Sequence, residues 1–395
     1  MNLENEESRS IRWNGFKLTL SNIYIDNYQP QAWKVLSRSF RSERLAGTYL
    51  FSGPDGCGRW ALAISLAMLI NCEQPALDKI TDILRPCGEC SQCRKIAGLN
   101  FEGLYVAAPL PPHKNADEAI DLTNQFLDLK KKEPFAILSS TSNLTIPIDV
   151  ARGIKKKLYT RAQAGMRRVV IFYQMEKMKE ASADALLKLI EEPPADVVVI
   201  LITEKPERLL PTIQSRSQRI NLKRATFENT AKYLTEKYSI PSSKADLLAR
   251  ISQGIPGQAI SMLESQEEKG GLRRGVGFQL FRSLIEDRSP QVIARLTDNI
   301  GARDRGDAEE LLRLWQSFIR DCSGLAVSND ENGLTHIDMK AELARLAVYF
   351  SAHELGDNMT RYIKIALADL RRNVHIHGAL VALVLRIKSE LMTSM

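Results

Sequence analysis

Two apolar runs decide the class of fold open to this chain. "RRVVIFYQM" (167–175) and "DVVVILIT" (196–203) are rich in β-branched residues and show no polar–apolar alternation. A strand with one wet face alternates. A run that stays apolar is buried on both faces, as in a parallel sheet covered by helices on each side. Between the two lies "SADALLKLIEE", with helical spacing and a stop at Pro193-Pro194. "TYLFSG" (48–53) and "GLYVAAP" (103–109) read as further strands, and 29–47, 59–70, 115–132 and 147–163 as helical segments. That alternation, continuing to about residue 222, predicts an α/β domain with a parallel sheet.

The strand at 48–52 runs into "SGPDGCGRW", a G-x-x-x-x-G spacing from Gly53 to Gly58 with Gly56 between them. Strand, glycine loop and helix in that order are the context in which this spacing signifies a phosphate cradle. A working loop offers backbone N–H groups to phosphate, a Lys to the β/γ-phosphates and a Ser or Thr hydroxyl to Mg²⁺. Gly53, Gly56 and Gly58 preserve the cradle, with Arg59 as its cation. The planar fork of Arg59 is a poor substitute for a compact ammonium, and Trp60 has no oxygen to give a metal. The run "VVIFYQMEKM" ends with Tyr173 and Gln174 where an ATPase of this type has acidic residues. Glu176 follows three residues after Tyr173 and is expected to point elsewhere. The sequence therefore predicts no ATP hydrolysis at this loop and leaves nucleotide binding open.

Four cysteines form the second candidate site. Cys87-x-x-Cys90-x-x-Cys93 lies in "RPCGECSQC", with Cys72 fifteen residues upstream. Four thiolates satisfy tetrahedral Zn²⁺, and C-x₂-C brings two sulfurs to one ion through a tight turn that Gly88 suits. A redox C-x-x-C pair needs no third or fourth cysteine, and ferredoxin clusters use other spacings. With every ligand position filled by Cys, no place is left for a catalytic water, so the zinc is structural. Cys57 and Cys322 read as bystanders, and His375 and His377 as surface or packing residues.

Past about residue 226 the strands cease. Helical patterns over 226–265 form a small unit, "QEEKGG" (266–271) reads as a linker, and 272–395 is helical throughout, with a loop at 327–336. A formal net charge of +7 leans towards an anionic partner, yet it is small for 395 residues. Lys triplets such as 130–132 and 155–157 read as solvated surface. No run reaches the ~20 apolar residues of a membrane span, and the acidic, polar opening "MNLENEESRS" is no signal peptide. A cytoplasmic protein is expected.

Taken together, these residues resemble the clamp-loader subunits of bacterial DNA polymerase III, and among them the delta-prime family, built on an AAA+ module. "ERLAGTYLFSGPDGCGR" is similar to that family's lead-in to its loop, the cysteine module to its zinc insertion, and "DALLKLIEEPPADVVVILIT" to the segment before its sensor-1 strand. "LLPTIQSRSQRI" resembles its Ser-Arg-Cys motif, with Ser217 replacing Cys, and "NVHIHGALVALVLRI" its terminal collar helix.

The resemblance implies an AAA+ α/β core over 1–225 with the zinc insertion at about 72–93. A helical lid over 226–268 and an all-α collar over 272–395 would follow. It implies that Arg216 is an arginine finger offered in trans to a neighbour's ATP. Gln258 stands where an active member has a sensor-2 Arg, and Thr203 closes the sensor-1 strand without a charge. The implied role is a non-hydrolysing subunit, joined through its collar to ATPase and clamp-opening subunits in a hetero-oligomer. That assembly loads the sliding clamp onto primed DNA. An ATP-hydrolysing subunit of the same loader, or another AAA+ motor, and a zinc-containing DNA-binding protein on a degenerate NTPase fold are the rival readings.

Overall fold

The structure, a computed structural model, describes residues 25–138, 144–159, 166–184, 186–269, 272–287, 289, 305–328, 333–351, 353–372 and 374–393. In chain order the elements are α1 (Pro30–Arg41), β1 (Thr48–Ser52), α2 (Arg59–Asn71), β2 (Ala76–Asp78), β3 (Ile83–Arg85) and α3 (Ser91–Ala97). Then come β4 (Leu104–Ala107), α4 (Ala116–Lys132), α5 (Ile148–Leu158), β5 (Arg168–Phe172), α6 (Glu180–Asp184) and α7 (Leu187–Glu191). After them follow β6 (Val197–Thr203), α8 (Pro211–Arg216), β7 (Gln218–Asn221), α9 (Phe227–Tyr238), α10 (Ser242–Ile251), α11 (Pro256–Lys269) and α12 (Leu272–Glu286).

β4, β5, β6, β1 and β7 form one parallel sheet in that spatial order. β1, β5 and β6, the three apolar runs, are buried at every position, as the absence of alternation predicts. α2 is buried along almost its whole length, which is why its sequence shows no polar face. α4 is set by its ends: the Asn115 side chain accepts from Glu118 N at 2.8 Å, and Glu118 accepts from Lys114 N at 2.7 Å. Acidic residues fill its first turn and lysines its last, each matched to the helix dipole.

Three elements differ from the sequence expectation. The single helix expected over 182–192 is two short ones, α6 and α7, with Leu186 in a turn between them. The helix expected over 147–163 ends as α5 at Leu158, and 160–165 lie outside the described residues. The linker expected at 266–271 is helical as far as Lys269, because Gln-Glu-Glu-Lys are good helix formers and no breaker precedes Gly270. The chain divides into two compact units, Met1–Ser261 and Met262–Met395, so the division falls inside α11.

In the second unit α12 and the helices Arg305–Ser328, Lys340–Ala347, His353–Arg371 and Ile376–Thr393 enclose a core around Phe281, Trp315, Phe318, Met359 and Leu380. Cys322 is part of that core, and His375 and His377 lie on the surface. No helix among the described residues is long and apolar enough to cross a membrane.

In the first unit, α9 is joined to the α/β core by a buried ionic network. The Glu133 carboxylate accepts from Tyr233 Oη at 2.7 Å, Tyr238 Oη at 2.6 Å and Phe135 N at 3.0 Å. It pairs with Lys237 Nζ at 3.0 Å, with both side chains almost fully shielded. Lys237 Nζ also donates to Lys132 O and Tyr233 Oη, so all three of its donors are used. Tyr28, Phe135 and Tyr233 stack beside the pair, with ring centroids 4.9–5.9 Å apart. Lys237→Met strands a buried carboxylate and should cost about 3–5 kcal/mol in urea unfolding. Combining it with Glu133→Gln should restore most of the loss; a double variant as weak as the single one would remove the ionic explanation.

Candidate functional site

The glycine loop leaves β1 and enters α2 as the spacing predicts. Gly53, Gly56 and Gly58 have φ of 145°, 80° and 107°, all in the range that side chains avoid. Space is as restrictive as angle. A Cβ on Gly58 would lie 2.8 Å from the Phe135 ring, and one on Gly56 would lie 2.9 Å from Gly257 Cα. Gly257, at the head of α11, donates to Gly56 O at 3.0 Å. A Cβ there would meet Phe135 O at 2.2 Å. The loop thus keeps its shape under a cover made by residues 135–137 and Gly257.

The cradle's anion comes from the loop itself. Asp55 Oδ1 accepts from Gly56 N at 3.1 Å and from Arg59 Nη2 at 2.6 Å. Arg59 is 2% exposed and is ion-paired with Asp55 through Nη2. Cys57 is buried, and burial pushes its thiol up to about 12, in keeping with a bystander.

The start of α2 and the end of β5 meet in an aromatic cluster. Trp60 packs edge-on against Phe126 and Tyr173, with centroids 5.4 and 6.0 Å apart, and Phe126 lies 5.2 Å from Tyr173. Trp60 and Tyr173, the two replacements singled out in the sequence, are therefore in contact. Beneath them is a residue that sequence reasoning missed. Lys130 is fully buried; its Nζ donates to Ala136 O and to Tyr173 Oη at 3.0 Å, and lies 4.6 Å from the Tyr173 ring centroid. The triplet 130–132 was expected to be solvated. The available signal was spacing, since Lys130 stands four residues after Phe126 on the same face of α4. Burial drives its ammonium down to about 8, with Asp55 and Glu133 opposing the shift and Arg59 adding to it.

A polar cleft of about 220 Å³ opens beside the loop, lined by Asp55, Gln174, Glu176, Lys177, Glu204 and Lys205 among others. Gln174 Nε2 lies 3.5 Å from Asp55 Oδ2. Glu176, expected to point elsewhere, lines this cleft with Gln174 and accepts from Glu204 N at 3.3 Å. The short 3₁₀ turn Met175–Lys177 after β5 brings it round. Thr203 ends β6 fully buried, its Oγ1 accepting from Lys205 N. Gln258 is half-buried at the start of α11.

The cysteines form a separate centre. The segment between Cys72 and Cys87 is a hairpin, β2 paired antiparallel with β3, which the sequence reading did not anticipate. The hairpin returns the chain so that Cys72, Cys87, Cys90 and Cys93 have all four sulfurs within 4.8 Å of one another. Tetrahedral Zn–S bonds of about 2.3 Å separate sulfurs by about 3.8 Å, and Cys87 and Cys93 are 3.9 Å apart. Gly88, at φ 76°, makes the turn. Backbone N–H groups of Cys87, Cys90 and Cys93 point at the sulfurs of Cys72, Cys87 and Cys90, at 3.3–3.4 Å. Burial raises the Cys87 thiol, but the N–H groups of Cys90 and Glu89 and the neighbouring sulfurs outweigh it and bring it to about 7. The donor set fits a structural zinc. The hairpin is anchored to α1, with Trp33 Nε1 donating to Leu84 O and Leu84 N to Ser37 Oγ.

Arg216 ends α8, 41% exposed, and is ion-paired through Nε with Glu191. Ser217 is buried and donates to Ile213 O at 2.8 Å.

Residues 28–226, half of the chain, match the family model described as "DNA polymerase III, delta subunit". The chain belongs to this family. Its relatives include the DNA polymerase III subunit delta' of Bacillus subtilis (strain 168), 23% identical over 366 residues, which are 92% of this chain and 97% of that protein. The subunit of the same name from Pseudomonas aeruginosa is 32% identical over 171 residues, 43% of this chain and 41% of that one. A gamma subunit-related protein of DNA polymerase III from Thermotoga maritima, 15% identical, aligns over 91% of this chain and all of its own with a TM-score of 0.42.

Two outcomes follow for this delta-family chain. Between about pH 8 and the ordinary lysine value of 10.5, the unfolded chain binds a proton at Lys130 that the folded chain lacks. Stability therefore gains from Lys130 as pH rises through that window, by on the order of 3 kcal/mol. Urea midpoints at several pH values should show a flatter rise in Lys130→Met than in wild type. Metal analysis should find about one zinc per chain, lost in Cys90→Ser, and a metal-free wild type would overturn the assignment.

Proposed function

We propose that the chain is a delta-prime-type subunit of the DNA polymerase III clamp loader that hydrolyses no ATP itself and offers Arg216 to the ATP of a neighbouring subunit. The observation that carries this reading is the contact of Trp60 with Phe126 and Tyr173. It fills the metal side of the site with aromatic rings, while Asp55 occupies the Gly56 N–H and Arg59. Catalysis of phosphoryl transfer is almost entirely positioning and charge stabilisation by metal and cations. A site without the metal and with its cation turned inward has neither. Arg216 is the opposite case: exposed, on a short helix at the sheet's edge, with donors to spare. A guanidinium offered from outside can stabilise charge on transferring phosphoryl oxygens.

Under this reading residues 1–225 are the AAA+ core, 226–268 its lid and 272–395 the collar that joins ATPase and clamp-opening subunits. The four cysteines hold a structural zinc, and the assembly places the sliding clamp on primed DNA. The buried Glu133–Lys237 network supports a module whose lid stays fixed to its core.

The test is reconstitution with the ATPase and clamp-opening subunits of the same organism. The isolated chain should show no Mg²⁺-dependent ATP turnover. Arg216→Ala should assemble normally, yet lower the clamp- and DNA-stimulated turnover of the complex by roughly tenfold or more. Unchanged turnover in that variant, or failure of the wild type to join a complex, would sink the proposal.

A further inference from the structure

We propose that Glu191 is the positioning residue of Arg216, setting the direction in which its guanidinium is presented; this rests on the reading of Arg216 as a group donated to a neighbour's phosphate. Glu191 Oε1 holds Arg216 at Nε, and Arg216 Nη1 donates to Thr212 O at 3.3 Å. Among the described residues Arg216 has no other partner. A guanidinium carries five N–H donors in a rigid fork, so two are used and three remain, one on Nη1 and both on Nη2. That free end is the one suited to a phosphoryl group. The pair therefore grips the fork from its stem side and leaves its tip to the outside.

Both partners stand on fixed ground. Glu191 is the last residue of α7, whose Leu189 and Ile190 are buried in the same apolar cluster as Leu209 and Ile213 beside and within α8. The end of α7 is tied to the sheet by Thr48 Oγ1, which donates to Ile190 O at 2.8 Å. The start of α8 is tied by Gln214 Nε2 to Leu209 O at 2.9 Å. Glu191 and Arg216 themselves are 38% and 41% exposed. An ion pair that open to water contributes little to stability. Its consequence is orientation, and misplacing a catalytic group by an ångström can cost about a hundredfold in rate.

The experiment uses the reconstituted complex and four forms of the chain: Glu191→Ala, Glu191→Gln, Arg216→Ala and the double Glu191→Ala/Arg216→Ala. Glu191→Ala should melt and assemble as wild type does, with kcat for stimulated ATP turnover lowered roughly tenfold to a hundredfold and KM for ATP unchanged. Glu191→Gln keeps an oxygen for the Nε–H and should retain most of the activity. In the Arg216→Ala background, removing Glu191 should change nothing further, since the two residues act as one unit.

A normal kcat in Glu191→Ala beside a collapsed Arg216→Ala overturns this inference and leaves the functional reading standing. A normal Arg216→Ala overturns both. A rise in kcat on removing Glu191 would mean that the pair parks the arginine away from its target, which also overturns the positioning role.

Discussion

Trp60 packs against Tyr173 and Phe126 at the carboxyl edge of the sheet, beside the glycine loop and the buried charges of Arg59 and Lys130. Three aromatic rings pack together there, two of them at positions where the sequence departs from phosphate-loop chemistry. The neighbouring charges must find partners within the protein, because a buried charge without one costs several kcal/mol. Asp55 is matched by Arg59, and Lys130 by the Ala136 carbonyl and the oxygen and ring of Tyr173. The loop retains its left-handed glycines because Phe135, Gly257 and Leu222 leave no room for side chains.

A second set of buried charges does different work. Glu133 and Lys237 lie at the junction of core and helical extension, each with its hydrogen-bonding capacity filled. Such a pair adds little over a well-packed apolar alternative, but it admits few geometries. Together with the Tyr28–Phe135–Tyr233 stack it holds α9 against the segment that covers the loop. Motion of the extension about the loop would have to break this network. The exposed pair Glu191–Arg216 sits at the opposite extreme, open to solvent and weak, yet able to aim a side chain.

The fold was legible where burial acts on whole segments. β5 and β6 could be read as central strands because each is an apolar run without polar alternation, and α4 because its helical spacing carries an acidic start and a basic end. The site was legible in part. Trp60, Tyr173 and Gln174 could be recognised as departures from phosphate-loop chemistry, and four cysteines at metal-ligand spacing could be grouped before any coordinates. Lys130 was barely legible: its spacing from Phe126 placed it on the same face of α4, but lysine in a triplet usually points to water, and only the structure shows it buried. Nor was the role of Asp55, one acidic residue among many, or the hairpin between Cys72 and Cys87, whose two strands have three residues each.

The sequence alone determined the parallel sheet, the glycine loop between strand and helix, the departures at Trp60, Tyr173 and Gln174 and the cysteine set, because periodicity and residue chemistry are local properties. Tertiary structure alone decided which distant groups meet. Trp60 and Tyr173 touch because β1 and β5 run parallel on either side of β6, which places their carboxyl ends on one edge. Asp55 pairs with Arg59, and Lys130 lies buried against the Ala136 carbonyl and Tyr173. Long-range contact and desolvation set those outcomes, and neither is written in the spacing of residues along a chain.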